Sequence, residues 1–309
     1  MLSIVPPRDA LATAQRVLDV ESHGRKQPLY YLELNAISPG LSAEVEALFQ
    51  GNESITLIDG GIIGGPPSPK NDSPTGWKCP SLVTSGPTKL PYEDLVQKLN
   101  MKHVSPSIGG ASGLKMCFAS MTKGFIALAI ESFVTADSLG VLPELRQQME
   151  MHNAEGLAIA SRGITSMPPK AYRWVYEMQQ IAVTMHENGG FNKGMFDEVA
   201  EVYRVVAEDT ELGLEQSGER NRGTTVEDVV EAMQTGMKNA KQVDKQLSGH
   251  LQPSTIVSEA IITIIIFGLH YCPEHYCPDR INRIGSDRSH EILPAKSIGL
   301  NWIASMDMS

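Results

Sequence analysis

The sequence predicts an α/β layer followed by an all-α half. Two observations predict it: short apolar strands alternate with helical stripes up to residue 99, and a helical period takes over near Gly113. A third bounds it, because the composition changes after residue 247 and no clear period returns.

Leu2, Ser3, Ile4 and Val5 read as a buried strand stopped by Pro6 and Pro7. Leu11, Ala14, Val17 and Leu18 form a helical stripe over residues 11–20, and residues 29–34 form a second strand. Ala43, Val45, Ala47 and Leu48 mark a helix over 42–49, and Ile55, Thr56, Leu57 and Ile58 mark a third strand. After a span rich in Gly and Pro come a strand at 81–84 and a helix over 92–99. Strands separated by helices of this length imply parallel pairing. Leu114, Phe118, Met121, Phe125, Leu128, Ala129, Ser132 and Ala136 then fall three or four apart, which predicts one long helix with a wide apolar face. Further helices are predicted over 142–160, 171–188, 195–214 and 225–247. Residues 256–269 are dense in isoleucine, and 270–278 crowd His, Cys, Tyr and Pro together. No fold is assigned to residues 248–309.

Composition narrows the function. Of 309 residues, 41% are hydrophobic and 20% charged, enough to bury real cores. Lys and Arg number 26 against 36 Asp and Glu, a net charge of −10, which argues against nucleic acid and an anionic membrane surface as partners. Four cysteines are too few for a disulfide scaffold, and the start lacks the basic and apolar regions of a secretory signal. The longest greasy stretch, 260–269, is shorter than a spanning helix needs. A cytoplasmic protein with a small-molecule substrate is expected. Cys272 and Cys277 beside His270 and His275 are spaced too loosely for a zinc site, and no metal is expected.

Two glycine clusters carry the chemistry. Asp59-Gly60-Gly61-Ile62-Ile63-Gly64-Gly65-Pro66-Pro67 follows the third strand, where open α/β sheets hold their ligands, and its glycines would let an anion approach backbone N–H groups. A tight structural loop is the plainer reading of the same residues. Ile108-Gly109-Gly110-Ala111-Ser112-Gly113-Leu114-Lys115 runs into the long helix and sets a lysine on its first turn. There the positive end of the helix dipole would lower the lysine's pKa, as a general base requires. A solvated surface lysine is the alternative. Asp59 reads as a strand-end cap and Cys117 as core; Arg173 reads as a partner of Glu177 four residues on, or as a clamp for a substrate anion.

These runs come in a recognisable order. Val5-Pro6-Pro7, then Glu33-Leu34-Asn35-Ala36-Ile37-Ser38-Pro39, the residues from Ile58 to Pro67, Ser85-Gly86-Pro87, Gly110-Ala111-Ser112-Gly113-Leu114-Lys115-Met116 and Ala171-Tyr172-Arg173-Trp174-Val175-Tyr176-Glu177-Met178 together resemble the 6-phosphogluconate dehydrogenase and β-hydroxyacid dehydrogenase superfamily. The likeness is greatest to the branch with a 6-phosphogluconate-dehydrogenase-like C-terminal domain, and it covers residues 2–245. It implies an oxidoreductase with a Rossmann domain for NAD or NADP and a helical domain that dimerises and closes the site. It further implies Lys115 as the base that takes the substrate's hydroxyl proton. Ile63, Gly64, Gly65 and Ser112 would hold substrate, and Val5, Pro6, Pro7, Asn35 and Ala36 would line the nicotinamide.

The chain departs from the pattern in places. It contains no G-x-G, and its first strand matches the superfamily's fourth, so the first βαβαβ half of the Rossmann sheet is expected to be absent and the edge of strand one bare. The expected domains are a partial Rossmann domain over 1–102, a helical dimerisation and substrate domain over 103–247, and an unassigned tail over 248–309. Ile63 stands where the hydroxyacid enzymes have Ser, Ala119 where they have Asn, and Thr122 where the phosphogluconate enzymes have the Glu that drives decarboxylation. Decarboxylation of 6-phosphogluconate is therefore not expected. The competing expectation is a catalytically silent dimerisation or regulatory protein derived from such an enzyme. A further one is that upstream coding sequence is missing and unrelated sequence follows residue 247.

Overall fold

The computed structural model describes residues 1–21, 28–71 and 76–250. The isoleucine-rich stretch and the His/Cys cluster of the tail lie outside the described residues.

Seven strands and nine helices appear among these residues. Strands β1 (Leu2–Ser3), β2 (Leu29–Glu33), β3 (Ile55–Ile63), β6 (Ser81–Ser85) and β7 (Met101–Ser105) form one sheet in the order β1-β2-β3-β6-β7; β4 (Ser68–Pro69) and β5 (Trp77–Lys78) form a separate two-stranded ribbon. Helices α1 (Ala10–Glu21), α2 (Pro39–Phe49) and α3 (Glu93–Lys98) alternate with these strands. The helical half comprises α4 (Gly110–Ser138), α5 (Leu142–His152), α6 (Ala154–Ser166), α7 (Ala171–Glu187), α8 (Gly194–Glu208) and α9 (Val226–His250).

The parallel pairing predicted from the alternation holds for β1 with β2, β2 with β3 and β6 with β7, but β3 and β6 are antiparallel. The reason is the connection: a helix crossover returns a strand in the same direction, whereas between β3 and β6 the described residues hold the β4–β5 ribbon and no helix. β3 also runs five residues past its predicted end. Gly60 and Gly61, read as loop, pair with Thr84 and Val83 of β6. β7, whose mixed Met-Lys-His-Val-Ser sequence carried no strand signal, completes the sheet at the far side.

The two faces of the sheet bury different sets. Leu29, Tyr31, Ile55 and Leu57 pack with Ala14 of α1 and Val45 and Phe49 of α2. Leu32, Ile58 and Leu82 face the other way, with Leu90, Leu99 and Met101 packed against them. A single larger core joins α4 to α9 through Met116, Ile130, Phe133, Ile164, Met178, Ile181 and Tyr203. The predicted helix over 142–160 is two helices, because Asn153 caps α6: its Oδ1 accepts from the Gly156 N–H at 3.0 Å.

At 29 residues, α4 spans about 44 Å. Its length and apolar composition would suffice to cross a membrane, although a third of the relevant window is buried within the chain. Interspersed Gly, Ser, Thr and Ala hid this stretch from a search for greasy runs. Cys117, expected in the core, is exposed, because it points away from the stripe of Met116 and Ala119 that meets the other helices.

Candidate functional site

One polar row crosses the sheet at the carboxyl ends of β1, β2 and β6 and the middle of β3. Ser3 pairs with Glu33, Glu33 with Asp59 and Asp59 with Ser85, and all four side chains are buried. Such a row in an otherwise apolar sheet costs desolvation unless every group finds a partner. Asn35, just beyond β2, serves one end. Its Oδ1 accepts from the Val5 N–H at 2.7 Å, its Nδ2 donates to Ser3 Oγ at 3.1 Å, and its own N–H donates to Glu33 Oε1 at 3.0 Å. Burial pushes the Glu33 carboxyl above its ordinary range, against the hydrogen bonds from Asn35.

Asp59 serves the other end. Its carboxylate accepts from the hydroxyls of Ser42 and Ser85 at 2.7 Å, from the N–H groups of Gly109, Ala111 and Ser112 at 3.0–3.1 Å, and from the Ser112 hydroxyl. It is therefore a cap after all, but the cap of α4 and not of its own strand. Its negative charge sits at the positive end of the α4 dipole. Gly109 makes this possible by turning the chain with φ at 89° just before the helix.

That arrangement changes the account of Lys115. Burial is the chief cause that lowers its pKa, with the Arg173 guanidinium acting in the same direction and the Glu177 carboxylate opposing. The dipole offered as the cause is already offset by Asp59. Lys115 Nζ donates to the Ile62 carbonyl at 2.6 Å, which fixes the amine beside the turn that follows β3. The helix can come this close because Gly61 has no side chain: a Cβ there would lie 2.9 Å from the Lys115 Cβ.

The predicted site residues divide by position. Ile63 is half-buried, and Gly64 and Gly65 are exposed beside the Lys115 anchor, Gly64 with φ at 114°. The N–H groups that were to cradle an anion are partly spent, since Gly60 and Gly61 belong to the sheet ladder and those at the start of α4 serve Asp59. Ser112 is not brought to this surface; it is fully buried, with its hydroxyl held by Asp59 and Ser42. Val5, Pro6 and Pro7 follow β1, Asn35 and Ala36 follow β2, and Asn35 ties the two turns together. These turns fit the nicotinamide end of a dinucleotide, being neutral and lying at adjacent parallel strand ends. The Val5 and Asn35 N–H groups are both used internally, so the turns offer little to a pyrophosphate.

Sequence reasoning missed a second cluster. Lys123, two turns along α4 from Lys115, forms an ion pair with Glu177 of α7. Arg173, the expected partner of Glu177, is exposed and has no ion pair among the described residues. Lys123 Nζ lies 4.7 Å from the centre of the Trp174 ring, and Lys170 Nζ lies 5.6 Å from it. Trp174 meets Tyr203 edge to face at 5.1 Å, and the Tyr203 hydroxyl donates to the Lys123 carbonyl at 2.6 Å. Burial outweighs the Glu177 pair and pushes the Lys123 pKa down to about 8. Trp174 and Glu177 belong to the run 171–178, but no motif contains Lys123, Lys170 or Tyr203; packing of α4 against α7 and α8 assembles the cluster.

Residues 136–206, from the end of α4 into α8, match the domain described as Domain of unknown function (DUF1932). No curated protein matches the chain. Among solved structures, a conserved hypothetical protein from Sinorhizobium meliloti 1021 is 19% identical, with a TM-score of 0.54, covering 76% of this chain and 74% of its own. This likeness shows the fold. A conserved protein of unknown function described as similar to 3-hydroxyacid dehydrogenases is 22% identical, with a TM-score of 0.46, covering 66% and 74%. A Mycobacterium tuberculosis 3-hydroxyisobutyrate dehydrogenase with L-serine is 16% identical, with a TM-score of 0.47, covering 67% and 74%.

Proposed function

We propose that this chain is an NAD(P)-dependent oxidoreductase of the hydroxyacid dehydrogenase type with Lys115 as its general base. The observation that carries the reading is the Lys115 amine, half-buried, depressed in pKa and anchored on the Ile62 carbonyl beside Ile63 and the exposed Gly64 and Gly65. A bound NAD or NADP supplies the hydride acceptor. In the residues' part of the reaction, Gly64 and Gly65 leave the substrate room to approach, and the Lys115 lone pair takes the hydroxyl proton. Arg173, exposed on α7 and unpaired among the described residues, attracts the carboxylate of a hydroxyacid. The turns Val5–Pro7 and Asn35–Ala36 line the nicotinamide. In this reading residues 1–102 serve the cofactor and residues 103–247 serve substrate and dimerisation, in a cytoplasmic setting.

A homodimer completes this reading. Met121, Phe125 and Leu128 of α4, Ile159 of α6 and Met195 and Val199 of α8 line an apolar groove of about 1000 Å³ on the helical half, and a second copy of the chain is the proposed occupant.

One observation favours the silent alternative. Ala119, where the hydroxyacid enzymes carry Asn, is buried in the helical core and offers a substrate nothing. Calorimetry with NADPH and NADH decides between the two. Binding of either, with turnover of a hydroxyacid that Lys115→Met reduces by about 10²–10⁴-fold, supports the enzyme; no binding at millimolar concentration sinks it.

A further inference from the structure

The Glu177 carboxylate is 6% exposed and only half used. Oε2 pairs with Lys123, while Oε1 is buried and has no hydrogen-bond partner. An ionised oxygen left in this state is costly, and such an atom in a folded protein calls for a donor that arrives at some stage of function. The Lys123 ammonium is already engaged, by Oε2 and by the Trp174 ring that it lies over. The other lysine on the first turns of α4 is Lys115, and α7 runs toward it: Gln180, one turn past Glu177, accepts from the Ser38 N–H at 3.0 Å, and the adjoining Pro39 packs on Gly109 and Gly113 at the start of α4.

Proton bookkeeping shows when Lys115 needs another acceptor. As a neutral amine it carries two hydrogens, and the Ile62 carbonyl takes one. When the substrate's O–H breaks, its proton forms a third N–H bond on Nζ; the C–H electron pair leaves as hydride for the nicotinamide and the carbonyl forms. The new ammonium has three donors and a full positive charge in a half-buried site. We propose that Glu177 is a positioning residue for Lys115: its free Oε1, in a carboxylate held in place by Lys123, receives the ammonium that forms as the substrate's proton is taken. A group that stabilises the charge only as it develops lowers the barrier without tightening ground-state binding. The inference rests on Lys115 as the base, but its test needs no turnover.

The charged groups around Lys115 are Glu177 and Arg173 from α7 and Lys123 from its own helix; those around Lys123 are Glu177, Arg173 and Lys115, with Tyr203 packed from α8 and Lys170 across the Trp174 ring. Removing the Glu177 charge therefore lowers the Lys115 titration midpoint. Removing the Lys123 charge leaves Glu177 unopposed and raises it. The full chain is acetylated with trace acetic anhydride across a pH series, and the Lys115 peptide is quantified by mass spectrometry against other lysines in the same digest. Glu177→Gln is expected to move the midpoint down by about one pH unit and Lys123→Met to move it up by a similar amount. Lys123→Arg is expected to restore the wild-type midpoint. Should Glu177→Gln fail to fold, the Lys123 pair still decides. Unmoved midpoints in the folded variants overturn the proposal. A moved midpoint in a chain that binds neither NADH nor NADPH keeps the coupling and discards the dehydrogenase reading.

Discussion

Asp59 shows how one side chain can organise a site without touching its ligand. Its carboxylate gathers the Ser42 and Ser85 hydroxyls and the backbone donors at the start of α4, so its removal strands several buried donors together. Asp59→Ala is expected to cost about 3–5 kcal/mol in urea denaturation, and Asp59→Asn less, since one acceptor oxygen survives. Gly61→Ala forces a methyl against Lys115 across a fully packed contact and is expected to cost about 1–3 kcal/mol by the same measurement. Tyr31 provides a pH signature. Burial is the main cause that raises its pKa to about 12, so between pH 10 and 12 the unfolded chain holds fewer protons and stability falls as pH rises. Tyr31→Phe is expected to abolish a loss on the order of 2–3 kcal/mol, read from urea midpoints at pH 8.5 and 11.5; identical falls in both proteins refute the assignment. The sequence made Lys115 and the glycine runs conspicuous, because both break local rules. It could not show that Asp59 reaches across 50 residues to Gly109, nor that Glu177 prefers Lys123 to Arg173. Those choices depend on tertiary distance, which spacing along one helix does not encode.

Elements were legible where one periodicity ran long. The stripe from Leu114 to Ala136 gave α4, and the alternation with helices gave β1, β2 and β3. Boundaries failed where a residue's local preference was overruled. Gly60 and Gly61 entered β3 because β6 pairs with them, Leu34 packs on Gly60 and Lys115 on Gly61, outweighing the usual cost of glycine in a strand. The break between α5 and α6 failed for the opposite reason: Asn153 was an available cap inside a continuous helical pattern. Asn153→Ala is expected to lower stability by about 1 kcal/mol, measured by thermal unfolding. An unchanged transition would mean that packing alone sets the α6 start.

At the scale of the molecule, α4 is apolar on more sides than one chain covers. Met121 is 77% exposed and Leu128 is 59% exposed, and both line the groove. A Leu128→Glu chain is expected to sediment as a monomer at micromolar concentration while wild type sediments as a dimer; equal sedimentation of the two counts against the dimer.

The clamp between Asp59 and the start of α4 also bears on how the chain can be dissected. The backbone between Ser105 and Gly109 is the natural place to cut the sheet from the helices, and Ser107 there is exposed. A cut at that point separates the carboxylate from the amides that need it, yet leaves the buried contact itself untouched. The two pieces of a nicked chain should therefore co-elute under native conditions and part only in denaturant. Expressed singly, each would carry half of a charge-to-dipole contact into water, and the pieces would complement one another when mixed.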